Sequence, residues 1–195
     1  CGKLIPEKIA EIVEGIAEGC KQVSCALLGG ETAEMPGFYA DDEYDLAGFA
    51  IGAVEKSKII DGSKIAEGDI ILGLASSGLH SNGYSLARRV LLEQAKFKLT
   101  DTPVELDTSL GNELIIPTRI YAGSLLNLLL QCEVHGLAHI TGGGLVENIP
   151  RILPINLDAA IDCSTWQAQP IFGLIQKRRG IEFLETELFV APFHY

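Results

Sequence analysis

The sequence predicts a two-domain protein of the α/β (α+β) class. Segments with helical periodicity alternate along its 195 residues with short apolar runs of strand length. The chain contains 21 glycines and only 7% aromatic residues, which suits a fold with many turns better than an all-β sandwich. A hydrophobic content of 47% is sufficient for a substantial core.

The first predicted elements are a helix and two strands. Residues 4–20 predict a helix, because their apolar side chains fall on one helical face: Ile5, Ile9, Ile12, Val13, Ile16 and Cys20. Pro6 is compatible with the first turn of that helix. Residues 25–28 predict a short strand and residues 44–54 a strand buried on both faces, with an acidic loop over residues 34–43 between them.

Polar residues 55–58 interrupt the apolar pattern and predict a domain boundary, which gives domains 1–56 and 57–195. The helix predicted after the boundary has Leu86, Val90 and Leu91 on its inner face. The elements of the second domain are, in order, a strand at 70–75, that helix at 81–96, a polar loop at 98–113, a helix beginning near Pro117, a short helix at 145–153, a strand at 159–161 and a helix at 170–178.

The charge and the cysteines exclude several classes of protein. A net charge of −11 argues against a nucleic-acid partner, whose phosphates are neutralised by Lys and Arg. No apolar run approaches the roughly 18 residues that cross a membrane, so no membrane partner is expected. Five cysteines without a CxxC pair predict buried free thiols rather than a zinc site, in a reducing compartment. We therefore expect a cytoplasmic enzyme.

The first of three glycine-bearing stretches is Gly29, Gly30, Glu31 and Thr32, at the end of the first predicted strand. The carboxylate of Glu31 is a candidate ligand for Mg²⁺ on nucleotide phosphates, since Mg²⁺ prefers hard oxygen ligands. The alternative is a plain turn with an exposed glutamate.

The second stretch covers residues 76–85 and leads into a predicted helix. His80 is a candidate phosphate donor or acid/base, because its ordinary pKa lies near working pH. Ser81 and Asn82 can cap the helix, which is the alternative explanation for their presence. Capping does not account for His80 or for Gly83, so the stretch favours a ligand site.

The third stretch, His139 to Gly144, contains three consecutive glycines after Thr141. Glycines expose main-chain N–H groups, which can bind phosphate, although a flexible hinge is the alternative. His139 is equally consistent with a structural hydrogen bond. The stretch is not a Walker A motif, because no Lys-Ser/Thr pair follows it.

Six ordered blocks resemble the phosphoribosylformylglycinamidine cyclo-ligase family, also called aminoimidazole ribonucleotide synthetases. The resemblance extends from about Gly15 to Ile175. The blocks are GGETAEMPG (29–37), YDLAGF (44–49), IIDG (59–62), SSGLHSNGYS (76–85), PTRIY (117–121) and HITGGGLVENIPR (139–151).

The resemblance implies an ATP- and Mg²⁺-dependent ligase of purine biosynthesis that acts on small-molecule nucleotides. ATP would activate the formyl oxygen of formylglycinamidine ribonucleotide as an iminophosphate, and ring closure by the neighbouring nitrogen would release phosphate. The implied fold is the two-domain fold that this family shares with selenophosphate synthetases and thiamine-phosphate kinases. The full-length protein is implied to be a homodimer that pairs through its N-terminal domains.

The resemblance also implies roles for the three stretches. His80 and Asn82 would be catalytic, and Glu31 would bind the metal. Substrate or phosphate would be bound by Gly29, Gly30, Thr32, Ser81, Gly83, Thr141, Gly142, Gly143 and Gly144.

The chain departs from the family pattern at both ends. The upstream Asp-Gly-x-Gly-Thr-Lys nucleotide motif and the metal-binding Asn-Asp pair do not appear. The glycine-rich segment expected after Gly180 does not appear either. We therefore interpret residues 1–56 as the end of the nucleotide-binding, dimerising domain and residues 57–195 as an incomplete C-terminal domain, and we expect the piece to be inactive alone.

Two alternatives belong to other classes. One is a non-catalytic remnant that binds a nucleotide or pairs with a full-length copy, and it is distinguished by whether the parent gene encodes the upstream motif. The other is a kinase-type relative such as a thiamine-phosphate kinase, which would share the Gly-Gly-acid-Thr sequence. That kinase would not be expected to share the blocks at 80–82 and 147–151.

Overall fold

A computed structural model describes residues 1–179 of the chain. These residues divide into two compact units. One unit contains Cys1–Ile59 and Ile120–Cys132, and the other contains Ile60–Arg119 with the described residues from Glu133 onward. The predicted domain boundary near residue 56 stays a prediction. The predicted departure from the family after Gly180 lies outside the described residues.

The first unit contains two long helices. Helix α1 spans Pro6–Gln22 and confirms the helix predicted at 4–20, with its proline in the first turn. Helix α4 spans Ala122–Gln131 and confirms the helix predicted after Pro117. Neither helix buries a residue fully, so the apolar face predicted for α1 is only partly covered in this structure.

The second unit contains the core. Helix α2, Tyr84–Ala87, continues directly into a π-helical segment, Arg88–Gln94. Helix α6, Pro170–Arg179, packs against that segment and confirms the helix predicted at 170–178. The core is formed mainly by these elements and α3, Leu110–Leu114, and its largest fully buried side chains include Val90, Leu91, Leu110, Ile171, Leu174 and Ile175.

Two boundaries in this unit differ from the predictions. The helix predicted from residue 81 begins at Tyr84, with Gly83 at its N-cap in the left-handed region at φ 82°. The predicted loop at 98–113 contains the start of α3, where the Ser109 hydroxyl accepts a hydrogen bond from the Asn112 N–H at 3.3 Å. This cap, together with burial of Leu110 and Leu114, explains why a short helix forms in a polar segment.

The short helix predicted at 145–153 is formed by α5, Gly144–Asn148, followed by a 3₁₀ turn at Ile149–Arg151. Two further 3₁₀ turns occur at Lys56–Lys58 and Cys163–Thr165. No helix among the described residues is both long enough and apolar enough to span a membrane.

The predicted strands at 25–28, 44–54, 70–75 and 159–161 are not formed. Within residues 1–179, strand pairing is limited to an isolated bridge between Pro36 and Tyr39. A strand requires a neighbouring segment to satisfy its backbone hydrogen bonds. The apolar side chains of these segments are instead exposed: Leu28 by 91%, Phe49 by 98%, Ile51 by 93% and Ile70 by 84%. The α/β class is therefore not confirmed.

The prediction of buried cysteines is also wrong. None of the five, all of which lie within the described residues, forms a disulfide; Cys1 and Cys20 are half-buried, whereas Cys25, Cys132 and Cys163 are exposed. The exposure of Cys25 has the same physical cause as that of the apolar segments, since Cys25 belongs to a predicted strand that has no pairing partner among the described residues.

Candidate functional site

The second glycine-bearing stretch forms a compact, partly buried turn ahead of α2. Ser76, Leu79 and His80 are buried, with exposures of 3%, 3% and 7%. His80 has a positive φ of 56°, which is uncommon for a residue with a side chain. The surrounding contacts therefore determine the conformation of this turn, and His80 lies at its centre.

The imidazole of His80 accepts hydrogen bonds from two main-chain groups. Its Nε2 lies 2.8 Å from the N–H nitrogen of Ser77 and 3.3 Å from that of Arg119. Two N–H donors require an Nε2 lone pair, so the neutral ring carries its proton on Nδ1. The Ser77 hydroxyl also lies 2.9 Å from Nε2. In this structure, the Nε2 lone pair is thus already used as an acceptor for these main-chain N–H groups.

Side chains from distant parts of the sequence anchor the same turn. The Ser77 hydroxyl donates to the Pro117 carbonyl at 2.7 Å, and the Arg119 guanidinium donates to the Ala75 carbonyl at 2.9 Å. The Gln169 amide donates to the Ser76 carbonyl. The sequence did not predict the contact of Gln169, because nothing in local spacing connects residues 76 and 169.

The environment of His80 disfavours its charged form. Burial lowers the pKa of His80, and the positive charges of Arg119 and His139 lower it further. Both effects favour the neutral imidazole.

We expect the protein to lose stability as the pH falls below about 6.5, the ordinary pKa of histidine. Because the pKa of His80 is lowered in the folded chain, the unfolded chain binds more protons below that pH. The contribution of His80 to the free energy of unfolding is therefore fully present above about pH 6.5. It is lost as the pH falls towards the pKa that His80 has in the folded chain. Urea unfolding at about pH 7.5 and about pH 5.5 measures this loss.

His80→Asn should reduce this loss of stability, because asparagine does not titrate in this range. The exposed His139→Asn provides the control and should retain most of the loss. Equal pH dependence in the wild type and in His80→Asn would contradict the explanation.

The third stretch is organised by a residue that sequence reasoning did not select. Asn148, at the end of α5, is 4% exposed. Its amide nitrogen donates to the carbonyls of Gly144 at 2.7 Å and Gly142 at 3.3 Å, and it lies 3.5 Å from the Thr141 carbonyl oxygen. The sequence feature that could have identified Asn148 is its position four residues after Gly144, the first residue of α5.

Gly143 is required by the conformation of this stretch. It adopts a left-handed φ of 94°, and a Cβ added there would lie 2.2 Å from Oε2 of Glu147. Glycine is the residue that tolerates both conditions without strain. Gly142 is exposed, whereas Gly144 is buried. In this structure the stretch therefore forms a turn whose conformation requires glycine at residue 143.

The first stretch is arranged differently. Gly29, Gly30, Glu31 and Thr32 are all exposed and belong to the other unit. A Cβ on either glycine would meet no atom within 4 Å. The structure therefore gives this stretch no enclosed pocket of its own, and its binding role stays a prediction.

The remaining predicted site residues lie at the rim of the second stretch. Ser81 is exposed, and Asn82 and Gly83 are half-buried. The Asn82 N–H donates to the Leu79 carbonyl at 3.4 Å. Neither Ser81 nor Asn82 caps α2, because Gly83 occupies the N-cap without a side-chain cap.

The described side chains were compared with the requirements of a metal site. Residues 1–179 contain no group of three or more His, Cys, Asp or Glu side chains arranged to hold an ion. Glu31, the predicted ligand, lies on an exposed segment. Mg²⁺ is commonly bound by one or two carboxylates together with substrate phosphates, so the metal-binding role of Glu31 stays a prediction.

Two family models match the chain. The C-terminal domain of AIR synthase related proteins matches residues 66–189, and the N-terminal domain of the same proteins matches residues 1–54.

Curated relatives are similar along almost the whole chain. A phosphoribosylformylglycinamidine cyclo-ligase of Geotalea daltonii is 60% identical over 187 residues, which cover 96% of this chain and 53% of the relative. Proteins of the same name from a Geobacillus species and from Syntrophotalea carbinolica are 58% and 57% identical, over 93% and 96% of this chain and 52% and 53% of theirs. The chain spans about half the length of the curated relatives it matches.

Proposed function

Since the chain belongs to the AIR synthase related protein family, we propose that it takes part in ATP-dependent ring closure of formylglycinamidine ribonucleotide to aminoimidazole ribonucleotide. The observation that carries the proposal is the 60% identity to a cyclo-ligase over 96% of the chain. The AIR synthase-like two-domain organisation follows from the two matched family domains. We also propose that the segments predicted as strands pair into the α/β fold.

The reaction requires an oxygen to be made into a leaving group. ATP transfers its terminal phosphoryl group to the formyl oxygen, which gives ADP and a phosphorylated imidate. The neighbouring nitrogen then attacks the activated carbon, the C–N bond forms, and the carbon–oxygen bond breaks with release of phosphate and a proton. The protein must therefore stabilise phosphoryl charge and hold the nitrogen near the carbon.

The third stretch is suited to the first of these tasks. Main-chain N–H groups in a glycine-rich turn can stabilise phosphoryl oxygens without a cationic side chain. Thr141, Gly142, Gly143 and Gly144 would bind a phosphoryl group in this way, which requires the Gly144 N–H to be released from its 3.1 Å hydrogen bond to the Thr141 carbonyl. The acidic net charge of −11 is compatible with this mode, because it requires no cluster of Lys or Arg.

The second stretch would form the neighbouring wall of the active cleft. Ser81 and Gly83 would contact substrate, and His80 and Asn82 would be catalytic. For His80 to act as a base through Nε2, its hydrogen bonds from Ser77 and Arg119 must first be released. Its lowered pKa keeps the ring neutral and therefore competent as a base near neutral pH.

The first stretch would serve the metal–nucleotide side. Gly29, Gly30 and Thr32 would contact phosphate, and Glu31 would supply one oxygen ligand to Mg²⁺ carried by ATP. Homodimerisation and a cytoplasmic location belong to the same proposal. The names of the relatives, all cyclo-ligases, favour it over a kinase-type relative.

Isothermal titration of the 195-residue chain with ATP–Mg²⁺ and with formylglycinamidine ribonucleotide tests the proposal. We expect saturable binding of at least one of the two and no turnover by this chain alone. A chain that binds neither would contradict the proposed function. Measurable cyclo-ligase turnover would overturn the expectation of inactivity.

A further inference from the structure

Asn148 is the buried polar side chain on which the third stretch depends. It is 4% exposed, and its side-chain amide forms hydrogen bonds within residues 141–144 of the third stretch, which we call the glycine turn. Its nitrogen donates to the Gly144 and Gly142 carbonyls at 2.7 and 3.3 Å. Its oxygen accepts from the Thr141 hydroxyl at 3.2 Å. Both ends of the amide are therefore used, and all three partners belong to the glycine turn.

These bonds determine where the N–H groups of the turn point. The described peptide bonds are all trans, and in a planar trans peptide the C=O of one residue and the N–H of the next point in opposite directions. Carbonyls drawn towards Asn148 therefore turn the N–H groups of Gly142, Gly143 and Leu145 away from it. Asn148 is buried, Gly142 is exposed and Gly143 is half-buried, so Asn148 lies on the interior side of the turn.

We propose that Asn148 is a positioning residue that holds the N–H groups of Gly142 and Gly143 outward to bind a phosphoryl group. The inference rests on the proposed function and deepens it, because it assigns the orientation of the phosphate-binding amides to one side chain. Asn148 does not touch the phosphate and acts only through the carbonyls it fixes.

A purely structural role predicts a different result from a positioning role. If Asn148 only stabilises the fold, its loss lowers the fraction of folded chains and leaves each folded chain with normal affinity. If it positions the amides, its loss weakens affinity in every folded chain. Isothermal titration separates the two, because the first effect lowers the apparent stoichiometry and the second raises the Kd.

The test uses Asn148→Asp in the 195-residue chain, titrated with ATP–Mg²⁺, with inorganic phosphate as competitor. The aspartate has nearly the same shape but, when ionised, cannot donate to the carbonyls. We expect both the Kd for ATP–Mg²⁺ and the inhibition constant for phosphate to rise about tenfold, at unchanged stoichiometry. Asn127→Asp, on the exposed side of α4, is the control for the added charge and should bind as the wild type does.

Each other outcome has a defined meaning. An unchanged Kd in Asn148→Asp, with or without lower stoichiometry, overturns the role of Asn148 and leaves the phosphate site standing. A wild-type chain that binds neither probe overturns the proposed function and this role with it. If Asn148→Asp lacks the circular dichroism of the wild type, Asn148→Ser, which keeps one donor, is judged by the same Kd and stoichiometry.

Discussion

Replacing Gly143 with alanine is expected to weaken binding of ATP–Mg²⁺ by at least about tenfold, because several N–H bonds to a charged group depend on this turn. The residue has a left-handed φ of 94°, which costs roughly 1–2 kcal/mol for an L-residue. The added methyl group would also meet the Glu147 side chain, 2.2 Å from Oε2 and 2.7 Å from Cβ. The turn must therefore change its backbone, which redirects its N–H groups.

The matched control is Gly173→Ala, which makes the same change in the interior of α6. Gly173 is exposed, and a Cβ there meets no atom within 4 Å. In a helix interior the substitution should stabilise the protein by roughly 0.5–1 kcal/mol and leave binding unchanged. Urea unfolding of the two variants is therefore expected to show changes of opposite sign, and titration is expected to show weaker binding only in Gly143→Ala. Normal affinity in Gly143→Ala would contradict the geometry assigned to the turn.

Replacing Leu91 with alanine is expected to lower the free energy of unfolding by about 2–5 kcal/mol. Leu91 is fully buried at 0% exposure in the π-helical segment, against which α6 packs. Removing its side chain loses buried apolar contact and leaves a cavity among well-packed neighbours. A domain of this size has a total stability of only roughly 5–15 kcal/mol, so the loss is a large fraction of it.

Leu72→Ala is the control for the same chemical change in the same unit. Leu72 is 66% exposed, in a segment predicted as a strand but not formed as one. Its truncation should change the free energy of unfolding by less than about 0.5 kcal/mol. Equal losses in the two variants, measured by urea unfolding, would show that the core is not where the structure places it.

Helices were predictable from the sequence, and strands were not. The periodicity of α1 and of the segment from Tyr84 to Gln94 depends on neighbours within one or two turns, which the sequence contains. A strand depends on a partner that can lie anywhere in the chain. Residues 44–54 and 70–75 have apolar composition but no paired neighbour among the described residues, so composition alone gave the wrong prediction.

The location of the candidate site was predictable, but its internal structure was not. Glycine spacing identified the turns around His80 and Gly143, because positive φ angles require glycine or a strongly constrained residue. The hydrogen bonds from Ser77 to Pro117 and from Gln169 to Ser76 join residues 40 and 93 positions apart. No local pattern encodes such pairs, and the role of His80 as an acceptor of main-chain N–H groups was missed for the same reason.

Nuclear magnetic resonance of the ¹⁵N-glycine-labelled chain tests most directly whether glycine amides bind the phosphoryl group. Inorganic phosphate and then ATP–Mg²⁺ are added while the amide signals of Gly142 and Gly143 are followed. We predict saturable shifts at both residues, with Gly123 and Gly173, in α4 and α6, unmoved. Signals of Gly142 and Gly143 that stay in place while ATP–Mg²⁺ binds elsewhere would contradict the account.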